Sequence, residues 1–530
     1  MSCSSRMEAW PRRDRPGSWL VGALGVVMVA GGAAQPPLPD RGAVGPAAMP
    51  PAIAPVAPPF EMPQPRRPAF PDRVIDIDRQ RVAEDGSITA AVQAAIDELA
   101  AAGGGTVVIP PGTWRSGRII LRSGVNLHVA TGATVRFSGA IDDYLPVVRT
   151  WYEGVEVMSP GGLIYACGEA GVAVTGGGVL EGPSDGPLRE VRPGLVEQLV
   201  DPASPVPTRV FDGRDGRHFF RPNFLVFVDC RDVLVEGVTL RHGPMWHVSP
   251  IACEGVVIRG VAIESRGVGN GDGVDVVASR NVLVEYCSAD TGDDSYALKA
   301  GRSAALTPAG AETANVVLRH NLATGGTGGI ACGSETAGGI RNVHVHDCVL
   351  ENVRHAIYLK TRRPRSGGGE HWLIERVAFS CSHTAVMVDM LGSRAYAGPL
   401  ADRLPAPPDS PQTPFYRDIT IRRLVGTSGG EALKVKGLPE RPVEGFMLDG
   451  CDLRGPRLIS LADVAGLTVR DSLFLADDPV VMLLDAAGVS FDGCRFGLDG
   501  RLPKIEQLGA SAIPRGLEPG DAAGMTGRPR

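Results

Sequence analysis

A short apolar segment recurs along most of this chain, and it constrains the fold more than any other feature. Each copy places apolar residues at alternate positions, which is typical of a β-strand with one buried face. Successive copies begin 21 to 34 residues apart, except for one interval of 47. Repeats of this length predict the coils of a β-solenoid, and the longer intervals predict loops on its outside. The copies begin at Val233, Val256, Val282, Val316, Val343, Trp372, Ile419, Phe446, Leu467 and Val489.

The repeat predicts an all-β fold, a single-stranded right-handed parallel β-helix. The composition agrees, because 69 glycines are available for turns and only 21% of the residues are charged. Residues 88–99 differ, since Val92, Ala95, Ile96 and Leu99 fall in helical register before three glycines. We expect this helix to cap the first coil, where an open stack would expose its core and its strand edges.

The two ends of the chain differ in composition from the repeat. Residues 1–34 combine several arginines with an apolar run and small residues, which predicts a signal peptide and a periplasmic or secreted protein. A retained N-terminal membrane anchor is the alternative. The Pro-rich residues 35–72 are predicted to be a disordered linker, and residues 505–530 a disordered tail. The β-helix domain is therefore expected to span residues 73–504.

Charge and cysteine content narrow the classes of partner. The formal net charge of -6 gives no sign of nucleic-acid binding. The sequence contains no close group of cysteines and histidines that would predict a metal site. We expect no cofactor and, once the signal is removed, no membrane partner. The protein is expected to be a monomer. Four cysteines share one position in their repeats and are predicted to stack as buried thiols: Cys287, Cys348, Cys451 and Cys494.

Two acidic motifs lie one coil apart in the middle of the repeat. Asn270-Gly271-Asp272 is followed 21 residues later by Gly292-Asp293-Asp294. This spacing predicts that Asp272 and Asp293 lie on adjacent coils, ~4.8 Å apart along the stack. Either motif alone is typical of a turn, but together they predict acid/base catalysis. Three neighbouring acids cannot all ionise cheaply, so one is expected to keep a proton near neutral pH.

The region from about residue 221 to residue 376 resembles glycoside hydrolase family 28, the polygalacturonase-like pectin hydrolases, and especially its bacterial branch. That family shows N-T-D, G-D-D, G-H-G and R-I-K blocks in this order. The first block, Asn270-Gly271-Asp272, keeps the Asn and the Asp, and the second, Gly292-Asp293-Asp294, is intact. In the third block Thr327 replaces the His, and in the fourth Tyr358 replaces the Arg while Lys360 keeps the Lys.

The resemblance implies a glycosidase acting on pectic polysaccharide or oligosaccharide with inversion of configuration. Asp293 would protonate the leaving glycosidic oxygen, and Asp272 and Asp294 would activate a water on the opposite face. Inverting enzymes need their carboxyl groups ~6.5 to 9.5 Å apart, which adjacent coils can provide. The resemblance also implies a set of substrate-binding residues: Asn270, Lys299, Thr327, Tyr358 and Lys360.

The departures in the third and fourth blocks bear on which sugar is bound. An Arg holds a uronate carboxylate with two parallel hydrogen bonds, and Tyr358 cannot do this. Rhamnogalacturonan-type or substituted pectic chains are therefore expected to fit better than plain homogalacturonan. Exo or endo action depends on whether the loops at 181–220 and 388–417 close one end of the cleft.

Two other functions remain open at this stage. A pectate-lyase-like β-eliminase would share the β-helix but would need a calcium cage of acids, and no such ordered set is recognisable. A non-catalytic carbohydrate-binding β-helix is the other alternative, and the complete trio of acids argues against it.

Overall fold

Strands make up most of the regular secondary structure in this computed structural model. The described residues are 37–78, 82–83, 86–189, 196–497 and 501–518. The predicted signal peptide, residues 1–34, lies outside these ranges. Within them, no helix is both long enough and apolar enough to cross a membrane.

The N-terminal third of the chain contains short strands and the longest helix, α1 (Thr89–Ala101). Further strands alternate with turns through the central third. In the C-terminal third several strands are long, because they continue around the corners of the coil. In chain order the strands of the first third are β1 (Val74–Asp76), β2 (Gly105–Ile109), β3 (Gly112–Ser116), β4 (Ile119–Ile120), β5 (Val125–Val129), β6 (Ala133–Phe137), β7 (Val148–Tyr152), β8 (Val155–Ser159), β9 (Gly162–Cys167), β10 (Ala170–Thr175) and β11 (Val179–Glu181). Those of the central third are β12 (Asn223–Val228), β13 (Arg231–Glu236), β14 (Thr239–Arg241), β15 (Val248–Ile251), β16 (Glu254–Arg259), β17 (Ala262–Glu264), β18 (Val274–Val277), β19 (Arg280–Glu285), β20 (Ser288–Asp290), β21 (Tyr296–Lys299), β22 (Thr313–Arg319), β23 (Leu322–Ala323) and β24 (Gly328–Cys332). Those of the last third are β25 (Ile340–Val353), β26 (His355–Lys360), β27 (Gly368–Cys381), β28 (Val386–Asp389), β29 (Phe415–Ser428), β30 (Glu431–Lys436), β31 (Val443–Asp449), β32 (Asp452–Arg470), β33 (Leu473–Asp492) and β34 (Lys504–Leu508).

Short helical segments interrupt the loops. Two of them are single α-turns, α2 (Val196–Leu199) and α3 (Arg394–Ala397). Both lie in the long loops that border the third sheet defined below. The 3-10 turns are Arg41–Ala43, Pro46–Ala48, Ile141–Tyr144, Pro187–Arg189, Val206–Thr208 and Gly398–Ala401.

The strands wind as a parallel β-helix with three faces. Strands β13, β14 and β15 form one coil and pair in parallel with β16, β17 and β18 of the next. We name the faces the first sheet (containing β13), the second sheet (containing β14) and the third sheet (containing β15). The predicted all-β, right-handed parallel β-helix is confirmed.

The repeat copies identified in the sequence stack in register inside the first sheet. Val233 pairs with Val256, Val256 with Val282, and the series continues without a slip to Val489. Because side chains alternate across a strand, this register keeps one apolar column in the core along the whole stack. The alignment of apolar residues in the sequence therefore predicted both the length of each coil and the side of each strand that faces the core.

Helix α1 closes the N-terminal end of the stack. Its buried residues are Val92, Ala95, Ile96 and Leu99, the four predicted from the helical register. They join the same hydrophobic core as the first coils. The expectation of a capping helix is confirmed.

The cysteines are free thiols. Cys287, Cys348, Cys451 and Cys494 are all buried, as predicted. Their sulfurs donate to backbone carbonyls of the coils, as Cys287 does to Glu285. The four cysteines do not form a continuous column, because Asn321 lies in the coil between Cys287 and Cys348. The side-chain oxygen of Asn321 accepts a hydrogen bond from the Cys287 backbone N–H.

The Pro-rich segment 37–72 differs from the expected disordered linker, because it packs on the outer face of the first sheet. Val56 is buried there against an apolar column that includes Leu234 and Leu283. Carbonyl groups of the segment accept hydrogen bonds from the buried guanidinium of Arg259, which also pairs with Glu285 at 2.8 Å. Proline lowers the entropy lost on ordering such a segment, and its carbonyls remain available as acceptors.

The expected disordered tail, residues 505–530, also differs where it is described. Strand β34 pairs with β33, and Leu517 is buried in the last part of the core. This strand covers the otherwise open edge of the final coil.

An antiparallel hairpin, β7 with β8, lies outside the coils. Trp151 of this hairpin is buried against Tyr165, Val228 and Val277 on the outer face of the third sheet. The hairpin thereby covers the third sheet in the coils that precede β21. In later coils the outward residues Tyr358, Lys360 and Lys434 of this sheet are partly accessible.

Candidate active site

The two acidic motifs lie where the chain enters the third sheet in adjacent coils. Val274 pairs with Tyr296, and the Gly273 N–H donates to the Asp294 carbonyl at 2.9 Å. This register sets Asp272 level with Asp294 in the next coil. The sequence prediction that the acids lie on adjacent coils is confirmed.

Asp293 and Asp294 are sequence neighbours that both reach the cleft because they lie in a bend before β21 rather than in a strand. A Cβ atom at Gly292 would lie 2.1 Å from the Val268 carbonyl oxygen. Only glycine allows the two turns to approach this closely. The Asp293 carbonyl accepts from the Thr327 N–H at 2.9 Å, which fixes the bend from the other side.

Lys299 is enclosed by acids on the outer face of the third sheet. Its ammonium group lies 3.0 Å from Asp272 and 2.5 Å from Asp275. It also lies 3.4 Å from the ring centre of Trp246, a cation–π contact. With 4% of its surface exposed, Lys299 holds Asp272 in place and has little surface left for substrate.

Lys360 makes the equivalent pair with Asp294. Its ammonium group lies 2.5 Å from Asp294 Oδ2, and about a fifth of the lysine side chain remains exposed to the cleft. A Cβ at Gly328 would lie 2.9 Å from Asp294 Oδ1 and 3.2 Å from the Tyr358 Cβ. Tyr358 is therefore a neighbour of the Asp294 carboxylate, in the same cleft.

Asp293 differs from the other acids because it has no lysine within ion-pair distance among the described residues. Burial raises its pKa to about 7, and the negative charges of Asp272 and Asp294 act in the same direction. Burial raises the pKa of Asp275 to about 7 as well, so the site contains more than one carboxyl group that is partly protonated near neutral pH. Burial also raises the pKa of Asp272, against the opposing charge of Lys299.

A buried histidine fixes the backbone beneath Asp272. The Gly243 N–H donates to His247 Nε2 at 2.9 Å, so His247 Nδ1 carries the hydrogen and donates to the Asp272 carbonyl at 3.0 Å. Burial lowers the pKa of His247 to about 4. His247 is thus neutral and acts as a fixed spacer between the coils.

The other expected substrate residues lie around this centre. Asn270 occupies a left-handed turn with φ 53°, and its side-chain amide oxygen accepts a hydrogen bond from the Arg221 guanidinium at 3.0 Å. Thr327 is half-buried beside Asp293. The Tyr358 ring lies 4.6 Å from the His355 ring and 4.7 Å from the Lys360 ammonium. The structure brings all eight predicted site residues together in four successive coils at the third sheet.

Sequence reasoning missed several residues of this site, notably Asp275, Trp246, His247 and His355. Asp275 has an available signal, because it follows Asp272 by three residues and pairs in register with Ala297, beside the strand end that carries Lys299. His247 and His355 give no such signal, since their neighbours come from other coils. In the described part of the chain, no three His, Cys, Asp or Glu side chains are arranged to hold a metal ion.

Comparison with known proteins places these features in a family. The family model of glycosyl hydrolases family 28 matches residues 214–464. An exopolygalacturonase from Thermotoga maritima is 30% identical, with a TM-score of 0.69 over 77% of this chain and 93% of that one. An exo-poly-alpha-D-galacturonosidase from Dickeya chrysanthemi is 25% identical over 74% of this chain and 69% of its own length.

A family 28 exopolygalacturonase from Yersinia enterocolitica shares the fold. It is 20% identical, with a TM-score of 0.58 over 84% of this chain and 79% of the other. The matched family region contains all eight predicted site residues. The chain belongs to glycoside hydrolase family 28 and is a glycosidase.

Proposed function

We propose that this glycosidase removes sugar units from one end of a pectic chain by inverting hydrolysis. The relatives named above as exopolygalacturonase and exo-poly-alpha-D-galacturonosidase support a pectic substrate. The observation that carries the exo assignment is the hairpin β7–β8, which covers the third sheet on one side of the acids.

The cleft has a closed end and an open end. On the closed side, the outward residues Val228, Ile251 and Val277 are buried beneath the hairpin and Trp246. The hairpin tip is fixed by an ion pair of 2.6 Å between Glu153 and Arg302. On the open side, Lys434 continues the outer face of the third sheet and remains accessible. A bound polysaccharide can therefore extend away from the acids in one direction only, which favours cleavage near a chain end.

The geometry supports distinct roles for the three acids. Asp293, which keeps a proton to about pH 7, donates it to the glycosidic oxygen as the bond to the leaving sugar breaks. Asp272 and Asp294 orient a water and accept its proton as its oxygen attacks the anomeric carbon. Lys299 and Lys360 hold these two carboxylates apart and in fixed positions, which leaves room for that water.

The identity of the bound sugar depends on Tyr358. The ring presents a face and one hydroxyl where the family motif has an arginine. A neutral sugar next to the scissile bond, as in rhamnogalacturonan-type chains, would stack on this face without an unpaired carboxylate. His355 supports the ring at 4.6 Å.

Product analysis tests the proposal. Homogalacturonan, rhamnogalacturonan and defined oligosaccharides labelled at one end should release a single small product from the beginning of the reaction. Products of many lengths would show that the hairpin does not close the cleft. An ultraviolet-absorbing product with a new double bond would indicate β-elimination instead.

We also propose that residues 1–34 direct export, so that the enzyme acts as a periplasmic or secreted monomer. The arginines and the apolar run of this segment support the proposal. N-terminal sequencing of the exported protein would locate the cleavage site, and an uncleaved membrane-bound form would indicate an anchor.

A further inference from the structure

A cluster of buried arginines and glutamates lies at the rim of the cleft, where the strands of the third sheet end. Arg302 pairs with Glu153 at 2.6 Å and with Glu197 at 2.6 Å. Arg365 pairs with Glu335 at 3.5 Å. Burial, which opposes ionisation, is outweighed by the charges of Arg365, Lys299 and Arg302, so the pKa of Glu335 falls to about 2.

Arg362 belongs to this cluster but has no carboxylate partner. Only 9% of its surface is exposed, yet within the described residues its guanidinium makes no hydrogen bond or ion pair. Its one specific contact is with the ring of Tyr396 at 5.2 Å. None of its guanidinium nitrogens is a fully buried atom without a partner, so they still reach solvent and can pair with a group from outside the protein.

A second donor in the cluster is also unsatisfied. Nη1 of Arg365 donates to Ser334 at 2.8 Å, whereas its buried Nη2 makes no hydrogen bond to any described residue. Nη2 lies 4.0 Å from Glu197 Oε1. The Arg365 N–H donates to the Arg362 carbonyl at 2.9 Å, so one turn carries both arginines.

The position of Arg362 relates it to the altered family motif. Tyr358 and Lys360 face outwards from β26 because side chains alternate across a strand. Arg362 follows Lys360 by two residues, about 6 to 7 Å along an extended chain. It therefore lies just past the end of β26, beyond the lysine that remains of the family motif.

We propose that Arg362, with Nη2 of Arg365, binds the carboxylate of a uronate residue in the pectic chain, an assignment that rests on the proposed function. A guanidinium pairs with a carboxylate through two parallel N–H donors. Tyr358 then faces the neutral sugar, and the carboxylate of a neighbouring uronate is received on the other side of Lys360. The enzyme then recognises an acidic sugar although the family arginine is absent.

Binding to an inactive enzyme tests this assignment. In an Asp293→Asn background, calorimetry would compare trigalacturonate with its fully methyl-esterified form, which lacks the charges but keeps the sugar ring. Arg362→Gln should weaken trigalacturonate binding about tenfold or more, because a charge-assisted pair is lost. Binding of the ester should change by less than about twofold, within the spread of measured surface effects. Arg362→Lys should give an intermediate loss, since it keeps the charge without the fork.

Arg422→Gln provides the matched control, because Arg422 lies on the outer face of the first sheet, 3.6 Å from Asp449. Arg422→Gln should change neither the affinity for trigalacturonate nor the affinity for its methyl ester. Equal losses for acid and ester in Arg362→Gln, or no loss for either, would overturn the assignment while the enzyme's hydrolysis of pectic chains stands. If the wild-type enzyme cleaves no pectic polymer at all, the proposed function fails and the assignment fails with it.

Discussion

The ammonium group of Lys299 lies 3.0 Å from Oδ2 of Asp272, and the two side chains come from adjacent coils of the β-helix. Lys360 and Asp294 form a similar pair at 2.5 Å, across two coil boundaries. Asp272 and Asp294, two of the three acids that we propose to be catalytic, are thus each held by a lysine from a later coil. The regular stacking of the coils sets the separation of these charges.

Lys299→Met should abolish most of the activity, because Asp272 and Asp275 would then share a buried site without a positive charge. Removing one partner of a buried ion pair costs about 3 to 5 kcal/mol. The midpoint temperature of thermal unfolding and kcat should both fall. The exposed Lys504 serves as a control, since Lys504→Met should leave both values unchanged; a similar loss in that variant would contradict the role given to Lys299.

Asp293→Asn should abolish hydrolysis while the fold persists, because an amide fills nearly the same volume but cannot donate the acid proton. Asp272→Asn and Asp294→Asn should be severely impaired. Release of reducing ends and circular dichroism would be measured together. Asp452→Asn, on the surface beside Arg454, is the control. Near-normal turnover in any folded variant of the three would remove that acid from the mechanism.

The raised pKa of Asp293 predicts how activity depends on pH. As pH rises through about 7 the general acid loses its proton, so kcat/KM should decline on the alkaline side. A profile that stays flat from pH 6 to pH 9 would show that another group donates the proton.

The same shift predicts the pH dependence of stability. Asp293 binds a proton more tightly in the folded state, so its contribution is fully present below about pH 4, the ordinary value for an aspartate, and is lost towards about pH 7. Chemical unfolding at several pH values should show a smaller decline across this window in Asp293→Asn than in the wild type. Identical declines would place the shifted proton on another acid.

Tyr358→Arg should raise kcat/KM for unsubstituted oligogalacturonides relative to rhamnogalacturonan oligosaccharides. A second cation beside Lys360 would pair with a uronate, and a hydrogen bond to a charged group contributes about 1.5 to 3 kcal/mol at most. The ratio of kcat/KM values reports this difference in transition-state binding. Tyr358→Phe, which keeps the ring, should leave the preference unchanged. If Tyr358→Arg leaves it unchanged too, residue 358 does not contact that sugar.

The coils and the acidic centre were predictable because both depend on a single spacing. A strand repeat of nearly constant length fixes which residues stack, so Asp272 and Asp293 could be placed on neighbouring coils from the sequence. The ion pairs of Lys299 and Lys360 were harder to predict from the sequence. They depend on which outward residues of different coils share a column, and loops of variable length obscure that register.

The closed end of the cleft and the arginine cluster were not predictable in the same way. Hairpin β7–β8 contacts strands far along the chain, so nothing local indicates where Trp151 packs. Arg362 stands among three other basic residues in sequence. Only the structure shows that Arg363 is paired with Glu440 while Arg362 is not.

The Pro-rich segment 37–72 also affects how the protein reaches its folded state. It is synthesised before every strand, yet Gly45 and Pro50 contact His320 and Arg259, which emerge from the ribosome more than 200 residues later. Long-range contacts of this kind form slowly, since the intervening chain must first be ordered. The first part of the described chain to be made can thus dock only after the coils that contain Arg259 and His320 have formed, and until then the apolar column containing Leu234 and Leu283 is exposed to other molecules.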